Sequence, residues 1–276
     1  MLTYPNCKIN LGLRVLRRRA DGYHDIESVF VPVPWCDELE IVRAGTFSFV
    51  QEGIPVGGDA EDNLVVKAYR LVHGMFPDRV DAVGIRLKKN IPFGAGLGGG
   101  SSDAAFAVRM LNDLFSLGMP SSQMADIVSR LGADCRFFVD NVPSCVTGIG
   151  DCVSPLGFNP LAGAALLIVK PSFSVSTAMA YKGITPRDEY GETLVDVLSL
   201  PMCGWKGVVT NDFERSVFGA YPLLSSIKDA MYDSGAVYAS MSGSGSTIYG
   251  IYSPASDLDS ATKRMSSFGQ ARRFDF

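Results

Sequence analysis

The chain has 276 residues, 47% of them hydrophobic, and a formal net charge of -4. That is enough apolar material for a sizeable core and more length than one typical domain needs, and the weakly acidic balance argues against a dedicated nucleic-acid or anionic-membrane surface. No apolar run approaches the roughly 18 residues of a membrane span, so the expectation is a cytoplasmic protein whose partners are small molecules.

In chain order, Lys8 to Val15, Ser28 to Val33 and Glu38 to Ala44 read as strands, being rich in β-branched residues and bounded by Gly, Pro and Asp. Leu64 to His73 has helical periodicity, and Val83 to Leu87 is again strand-like. Asn90 to Ala105 reads NIPFGAGLGGGSSDAA, with Gly94, Gly96, Gly98, Gly99 and Gly100 crowded before a Ser-Ser-Asp helix start. Glycine lets backbone N-H groups approach an anion without an obstructing Cβ, and a helix N-terminus adds free N-H groups and a positive dipole end. Ser101, Ser102 and Asp103 suit the N-cap region of a helix over Asp103 to Leu117. A further helix is expected over Gln123 to Leu131.

Turn residues thicken around Gly148 to Asp151 and Phe158 to Pro160, which suggests domains of 1–157 and 158–276. The second half interleaves strands (Ala164 to Lys170, Val237 to Ser240, Thr247 to Tyr252, Ala271 to Phe276) with helices (Thr193 to Leu200, Leu224 to Ser234, Asp257 to Phe268). The class is α+β. Cys7, Cys36, Cys135, Cys145, Cys152 and Cys203 are scattered without a C-x-x-C pair, and His24 and His73 are the only histidines, a pattern of neither a zinc site nor a disulfide framework.

Several phosphate-loop types compete for the glycine run. Gly94, Gly96 and Gly99 fit G-x-G-x-x-G, but Pro92 separates them from the preceding strand and no acidic strand end follows, against a dinucleotide fold. No Lys-Ser or Lys-Thr follows the last glycine, and H-R-D and D-F-G are missing, against P-loop and protein-kinase sites. A flexible linker would not end in a capped helix with an apolar face.

The run from Pro92 through Leu97 to Ser102 resembles the phosphate loop P-x-x-x-G-L-x-S-S-A of the GHMP small-molecule kinases, which include galactokinase, homoserine kinase and mevalonate kinase. PNCKINLGL (Pro5 to Leu13), RRADGYHDIES (Arg18 to Ser28), LGADCRFFV (Leu131 to Val139), SVSTAMAY (Ser174 to Tyr181), NDFE (Asn211 to Glu214) and SGSGST (Ser242 to Thr247) extend the likeness over nearly the whole chain, towards the branch that reads a cytidyl diphosphate. The resemblance implies a two-domain fold: a mixed-sheet N-terminal domain with a left-handed βαβ crossover and a ferredoxin-like C-terminal domain. It also implies ATP-dependent phosphorylation of the 2-hydroxyl of 4-diphosphocytidyl-2-C-methyl-D-erythritol in non-mevalonate isoprenoid synthesis, with ATP and Mg²⁺ as cofactors. It assigns no metal ligands, and leaves monomer and homodimer both open.

Residue by residue, the resemblance implies that Asp134 is the catalytic base and Lys8 the cation beside the acceptor hydroxyl, with Asn10 a neighbouring substrate contact. Read alone, Lys8 would be an edge-strand lysine and Asp134, between a helix and an apolar strand, a turn residue. Tyr23 and His24 leave a loop after Asp21-Gly22; the family pattern assigns them to cytosine, opposite Tyr181 and with Thr177 in support, and puts Gly243 and Ser244 on the substrate side. Asn63 and Lys89 match residues near adenine; Pro92, Gly94, Gly96, Leu97, Gly98, Gly99, Gly100, Ser101 and Ser102 match the phosphate loop. Where most members have Val-Pro after the base, this chain has Cys135-Arg136, whose guanidinium could pair with Asp134 or with substrate diphosphate. Two alternatives stay open at this point: another GHMP kinase, of homoserine or mevalonate type, and a non-catalytic nucleotide-binding protein on the same fold.

Overall fold

Alternating side chains near the N-terminus produce two long strands. In the computed structural model, which describes residues 1–187, 190–254 and 256–276, a short β1 (Leu2–Thr3) precedes β2 (Asn6–Arg18) and β3 (His24–Cys36). Then come β4 (Glu38–Arg43), β5 (Ser48–Gly53), α1 (Leu64–Met75), β6 (Val83–Lys89), α2 (Gly99–Leu114), α3 (Ser121–Ser129) and α4 (Phe137–Asp140). The rest is β7 (Ser144–Thr147), β8 (Cys152–Pro155), β9 (Ala165–Lys170), α5 (Thr177–Lys182), α6 (Leu194–Leu198), α7 (Phe213–Ala220), α8 (Pro222–Asp233), β10 (Tyr238–Met241), β11 (Ile248–Tyr252), α9 (Leu258–Met265) and β12 (Gln270–Asp275). Side-chain caps start several helices: Asn63 accepts from the Val65 N-H, Ser176 from Met179 and Asp257 from Ser260. All six cysteines are free thiols.

The chain forms two compact units, Met1–Lys8 with Pro32–Phe93 and Gly98–Val142, and Ile9–Val31 with Gly94–Leu97 and Pro143–Phe276. They are interleaved, where turn chemistry suggested one boundary between 157 and 158. The reason lies in β2 and β3: both belong to one unit at one end and to the other unit at the other end, a division that no loop or composition change marks.

The first unit carries the sheet β1-β4-β6-β5. β4 and β6 pair antiparallel with Leu39 opposite Leu87 and Ile41 opposite Ile85, whereas β5 runs parallel to β6. A parallel pair needs a crossover, and α1 supplies it, making β5-α1-β6 a βαβ unit. Helix α1 buries Val65, Val66, Ala68, Tyr69 and Val72 and packs against α2.

In the second unit the antiparallel sheet has the order β10-β11-β9-β12. Taken along the chain, β9, α8, β10, β11, α9 and β12 are a βαββαβ series with its first strand between its third and fourth, the ferredoxin-like arrangement. Its core includes Leu167, Val169, Leu224, Ile227, Met231, Ile248 and Met265.

Candidate active site

The expected phosphate cradle falls in the first unit, at the start of α2. Gly98 is its N-cap in the left-handed region, φ +69°, and the first intrahelical bond runs from the Ser102 N-H to the Gly98 carbonyl at 2.9 Å. The amides of Gly99, Gly100 and Ser101 therefore lie outside the helical ladder, available to an anion. The helix begins at Gly99, four residues before the expected Asp103, because Gly98 caps it by conformation. Ser101 and Ser102 sit in its first turn; the Ser102 hydroxyl is buried and has no protein partner. Of the loop's other residues, Leu97 is buried, and Gly94 and Gly96 serve close approach in the second unit, where a Cβ on Gly96 would run into the Ser242 carbonyl. The Ser242 hydroxyl donates to the Gly96 carbonyl at 2.9 Å.

Lys8 Nζ lies 3.3 Å from Asp134 Oδ2, with the lysine 3% and the aspartate 35% exposed. Asp134 belongs to a 3₁₀ turn, Ala133–Arg136, that runs directly into α4. A strand was expected after it. The apolar run Phe137-Phe138-Val139 is buried as a helical turn instead, the ambiguity that any short apolar run carries. The Arg136 guanidinium pairs with Asp126 on α3 at 3.6 Å. Cys135 is buried, which pushes its thiol up to about 11 against the opposing effect of the Ser101 hydroxyl, so it stays protonated.

Beside the cradle lies a cavity of about 350 Å³, lined by Asn63, Leu64, Lys89, Phe93, Gly100 and Asp103 among others. Of the first-unit positions expected around the nucleotide, its lining includes Asn63, Lys89 and Gly100. Lys89 is more constrained than the sequence suggests. Its ammonium is buried between Asp37 and Asp103, 2.6 Å from the latter, and Asp37 also accepts the backbone N-H groups of Asn90 and Ile91. Burial pushes Asp103 up to about 7 against the pull of Lys89, with the Asp37 charge adding to the rise. This Asp37-Lys89-Asp103 cluster was not legible in sequence, where Asp103 reads as a helix cap.

The base-reading candidates belong to the second unit. His24 opens β3 and its ring stacks on Tyr181, centroids 4.9 Å apart, while Tyr181 meets Phe213 edge-on at 4.7 Å. Tyr23 stands apart from that stack in the preceding turn, 61% exposed, its N-H donating to Asp21 at 3.1 Å. The expected adjacent ring pair is thus divided between an anchored imidazole and an open phenol, and Tyr181 supports His24 directly. Thr177 and Ser244 share a hydrogen bond of 3.0 Å, next to buried Gly243. Asn10 is 1% exposed; its amide donates to Ser28 at 2.9 Å and its carbonyl oxygen lies 3.5 Å from the Ser242 hydroxyl. His73, outside these groups, bonds the Val80 carbonyl at 2.8 Å. Among the described residues no three His, Cys, Asp or Glu side chains converge as a metal site, and no helix is long and apolar enough to cross a membrane.

An amide cradle at a helix start, a lysine-aspartate pair and an adjoining partly apolar cavity are the equipment of a phosphoryl-transfer enzyme acting on a small molecule. The GHMP kinases N terminal domain profile matches residues 63–148 and the GHMP kinases C terminal profile matches residues 204–271. A 4-diphosphocytidyl-2-C-methyl-D-erythritol kinase of Bacteroides thetaiotaomicron is 46% identical over 263 residues, 94% of this chain and 94% of its own. One from Cytophaga hutchinsonii is 45% identical over 252 residues, 91% and 92% of the two chains. A crystal structure of 4-(cytidine 5'-diphospho)-2C-methyl-D-erythritol kinase superposes with a TM-score of 0.81 at 28% identity, covering 99% of this chain and 98% of that one. Mevalonate kinase of Methanococcus jannaschii shares the fold, with a TM-score of 0.74 at 12% identity over 99% and 96% of the chains. The chain belongs to the GHMP kinases and, within them, to the 4-diphosphocytidyl-2-C-methyl-D-erythritol kinase family.

Proposed function

We propose that this kinase transfers the γ-phosphoryl group of ATP to the 2-hydroxyl of 4-diphosphocytidyl-2-C-methyl-D-erythritol. The observation that carries the chemistry is the Lys8-Asp134 pair, held against the N-cap glycine of the phosphate helix. Asp134, one-third exposed, accepts the hydroxyl proton; the oxygen attacks the γ-phosphorus, and ADP leaves with the bridging oxygen. Lys8, buried and fixed beside Asp134, orients the hydroxyl. The α2 amides hold the phosphates, and Asn63, Lys89 and Gly100 belong to the nucleoside side of the same unit.

The residue chemistry fits Mg²⁺ bound chiefly through the nucleotide. With no three-carboxylate cluster among the described residues, phosphate oxygens and water would hold the ion, and the unpartnered Ser102 hydroxyl is an oxygen donor at the right end of α2. When bound, it neutralises charge on the phosphates. ATP as donor fits work in the cytoplasm.

On the acceptor side, His24 offers ring nitrogens to a cytosine edge, Tyr23 an open ring face, and Tyr181 holds the imidazole by stacking. A base reader is unneeded for homoserine or mevalonate, and the names of the relatives support the cytidyl acceptor. The test is a coupled ADP-release assay with the purified protein against the cytidyl substrate, homoserine, mevalonate and galactose. ADP release with the cytidyl compound alone supports the reading; release with another acceptor, or with none, overturns it.

A further inference from the structure

The motif NDFE, Asn211 to Glu214, takes no part in the chemistry described so far. Within the second unit its two ends close on one residue, Met241, the last of β10. The Asn211 side-chain amide donates to the Met241 carbonyl and to the Gly243 carbonyl, both at 2.8 Å. Glu214 Oε1 accepts the Met241 N-H at 2.8 Å and the Ser240 hydroxyl at 2.9 Å. Both side chains are themselves fixed. Asn211 is 3% exposed and its oxygen accepts the Phe213 N-H at 3.0 Å, while the other Glu214 oxygen lies 2.6 Å from the Lys228 ammonium. This clip holds a loop that bears on the glycine run. Directly after Met241, the Ser242 hydroxyl donates to the Gly96 carbonyl at 2.9 Å, and further along the Thr247 N-H donates to the Ala95 carbonyl at 3.3 Å. The approach is so close that a Cβ on Gly96 would lie 2.1 Å from the Ser242 carbonyl oxygen. Gly94 to Leu97 thus follow a loop whose own position depends on Asn211 and Glu214. Leu97 is followed in the chain by Gly98, whose left-handed conformation starts α2 and leaves its first amides outside the helical ladder.

We propose that Asn211 and Glu214 are positioning residues for phosphoryl transfer, acting through Met241 to Gly243 on the course of the phosphate loop rather than on a reactant; the inference rests on the ATP reading above. A misplacement of about 1 Å that starts far from the reacting atoms can cost about 10²-fold in rate. Loss of either grip on Met241 therefore falls on the phosphoryl donor as well as on stability.

The experiment compares wild type with Asn211→Ala, Glu214→Ala, Glu214→Gln, Lys228→Met and Met265→Ala, by ATPγS calorimetry and steady-state kinetics well below the melting temperature of each. Met265→Ala opens core space on α9 and is the stability control. Asn211→Ala and Glu214→Ala should lower kcat/KM for ATP by about 10- to 100-fold and weaken ATPγS binding. Glu214→Gln keeps an acceptor oxygen for the Met241 N-H, and Lys228→Met leaves that bond in place, so both should match wild type. Met265→Ala should melt lower yet bind ATPγS and turn over as wild type does. Alanine variants of the clip that melt lower but keep wild-type ATPγS affinity and turnover would overturn the proposal, because the motif would then only stabilise the fold. An equal loss of ATPγS affinity in Met265→Ala would overturn it too. Should Asn211→Ala fail to fold, Glu214→Ala against Glu214→Gln decides. If wild type itself binds no ATPγS, the ATP reading falls and takes this inference with it; if wild type binds and the clip variants bind and turn over equally, only this inference falls.

Discussion

Lys8 and Asp134 meet at 3.3 Å, yet the lysine is 3% exposed and the aspartate 35%. That asymmetry suits the general-base role proposed for Asp134. The ammonium is buried and fixed, while the carboxylate keeps an open side, where the proposed mechanism brings the acceptor hydroxyl. Gly98 is part of the arrangement. A Cβ there would lie 3.2 Å from Lys8 Cε and Cγ and 3.1 Å from the Phe138 ring, so the cap of the phosphate helix, the cation and its carboxylate are sterically joined.

Replacing Asp134 by Asn keeps the size and removes the proton acceptor. Turnover should fall by about 10²- to 10⁴-fold, with ATPγS affinity unchanged because the helix amides hold the phosphates. Steady-state kinetics and calorimetry on the purified variant check this; near-normal turnover would remove Asp134 from the role of base.

Gly98→Ala tests the steric junction. A left-handed alanine costs about 1 to 2 kcal/mol in conformation alone, and here its methyl also displaces Lys8. Gly118 provides the control: it too is left-handed, φ +73°, but nothing lies within 4 Å of its would-be Cβ. Both variants should melt a few degrees lower, and only Gly98→Ala should lose turnover, by about tenfold or more if the Lys8 shift removes 1.4 kcal/mol from the transition state. Equal activity in the two variants would show that the contact with Lys8 is without consequence.

Long periodic elements were readable from sequence for a plain reason: β2, β6, α1 and α2 each repeat their apolar spacing often enough to declare a period. β7 and β8, four residues each, are too short to do so, and β5, with no buried position, lacks a strong apolar face. The glycine loop announced itself because close backbone approach leaves few residue choices. What could not be read depends on partners distant in the chain. Asp103 looks like a cap until Lys89 and Asp37 are beside it; the pairing of Arg136 with Asp126 joins two elements that the sequence does not show to be neighbours; the division of β2 and β3 between two units follows from packing that neither strand's own pattern encodes.

Asp103 carries a pH signature. Burial and the neighbouring Asp37 raise its carboxyl from 3.8 to about 7, against Lys89. A carboxyl raised in the folded state binds more protons there than in the unfolded chain, so its contribution to stability is complete below its ordinary range and is lost as pH rises through about 7. Asp103→Asn removes this titration while still offering Lys89 an oxygen. Wild type should therefore lose stability relative to Asp103→Asn as pH is raised from 5 to about 8, read as diverging melting temperatures. Parallel curves would mean that Asp103 titrates normally in the cluster.

The last prediction concerns His24 and Tyr181, whose rings stack with centroids 4.9 Å apart and planes inclined by 23°. If Tyr181 acts by holding the imidazole that reads cytosine, the two residues are a unit and their effects on the cytidyl ligand cannot add. His24→Ala should weaken CMP binding by about 5- to 150-fold through loss of one or more base hydrogen bonds, each worth roughly 1 to 3 kcal/mol when the partner stays buried. Tyr181→Ala should produce a smaller loss, on the scale of the roughly 0.5 to 1.5 kcal/mol of an aromatic pair, since the imidazole remains but is no longer held. In the double variant the Tyr181 loss should vanish, because there is no imidazole left to hold. ATPγS affinity should be unchanged in all three, the phosphate helix and the nucleoside cavity being built from other residues. Calorimetric titrations of CMP, UMP and ATPγS complete the cycle. Additive losses would show that Tyr181 touches the base independently of His24, and wild type binding CMP no better than UMP would end the assignment of His24 as a cytosine reader.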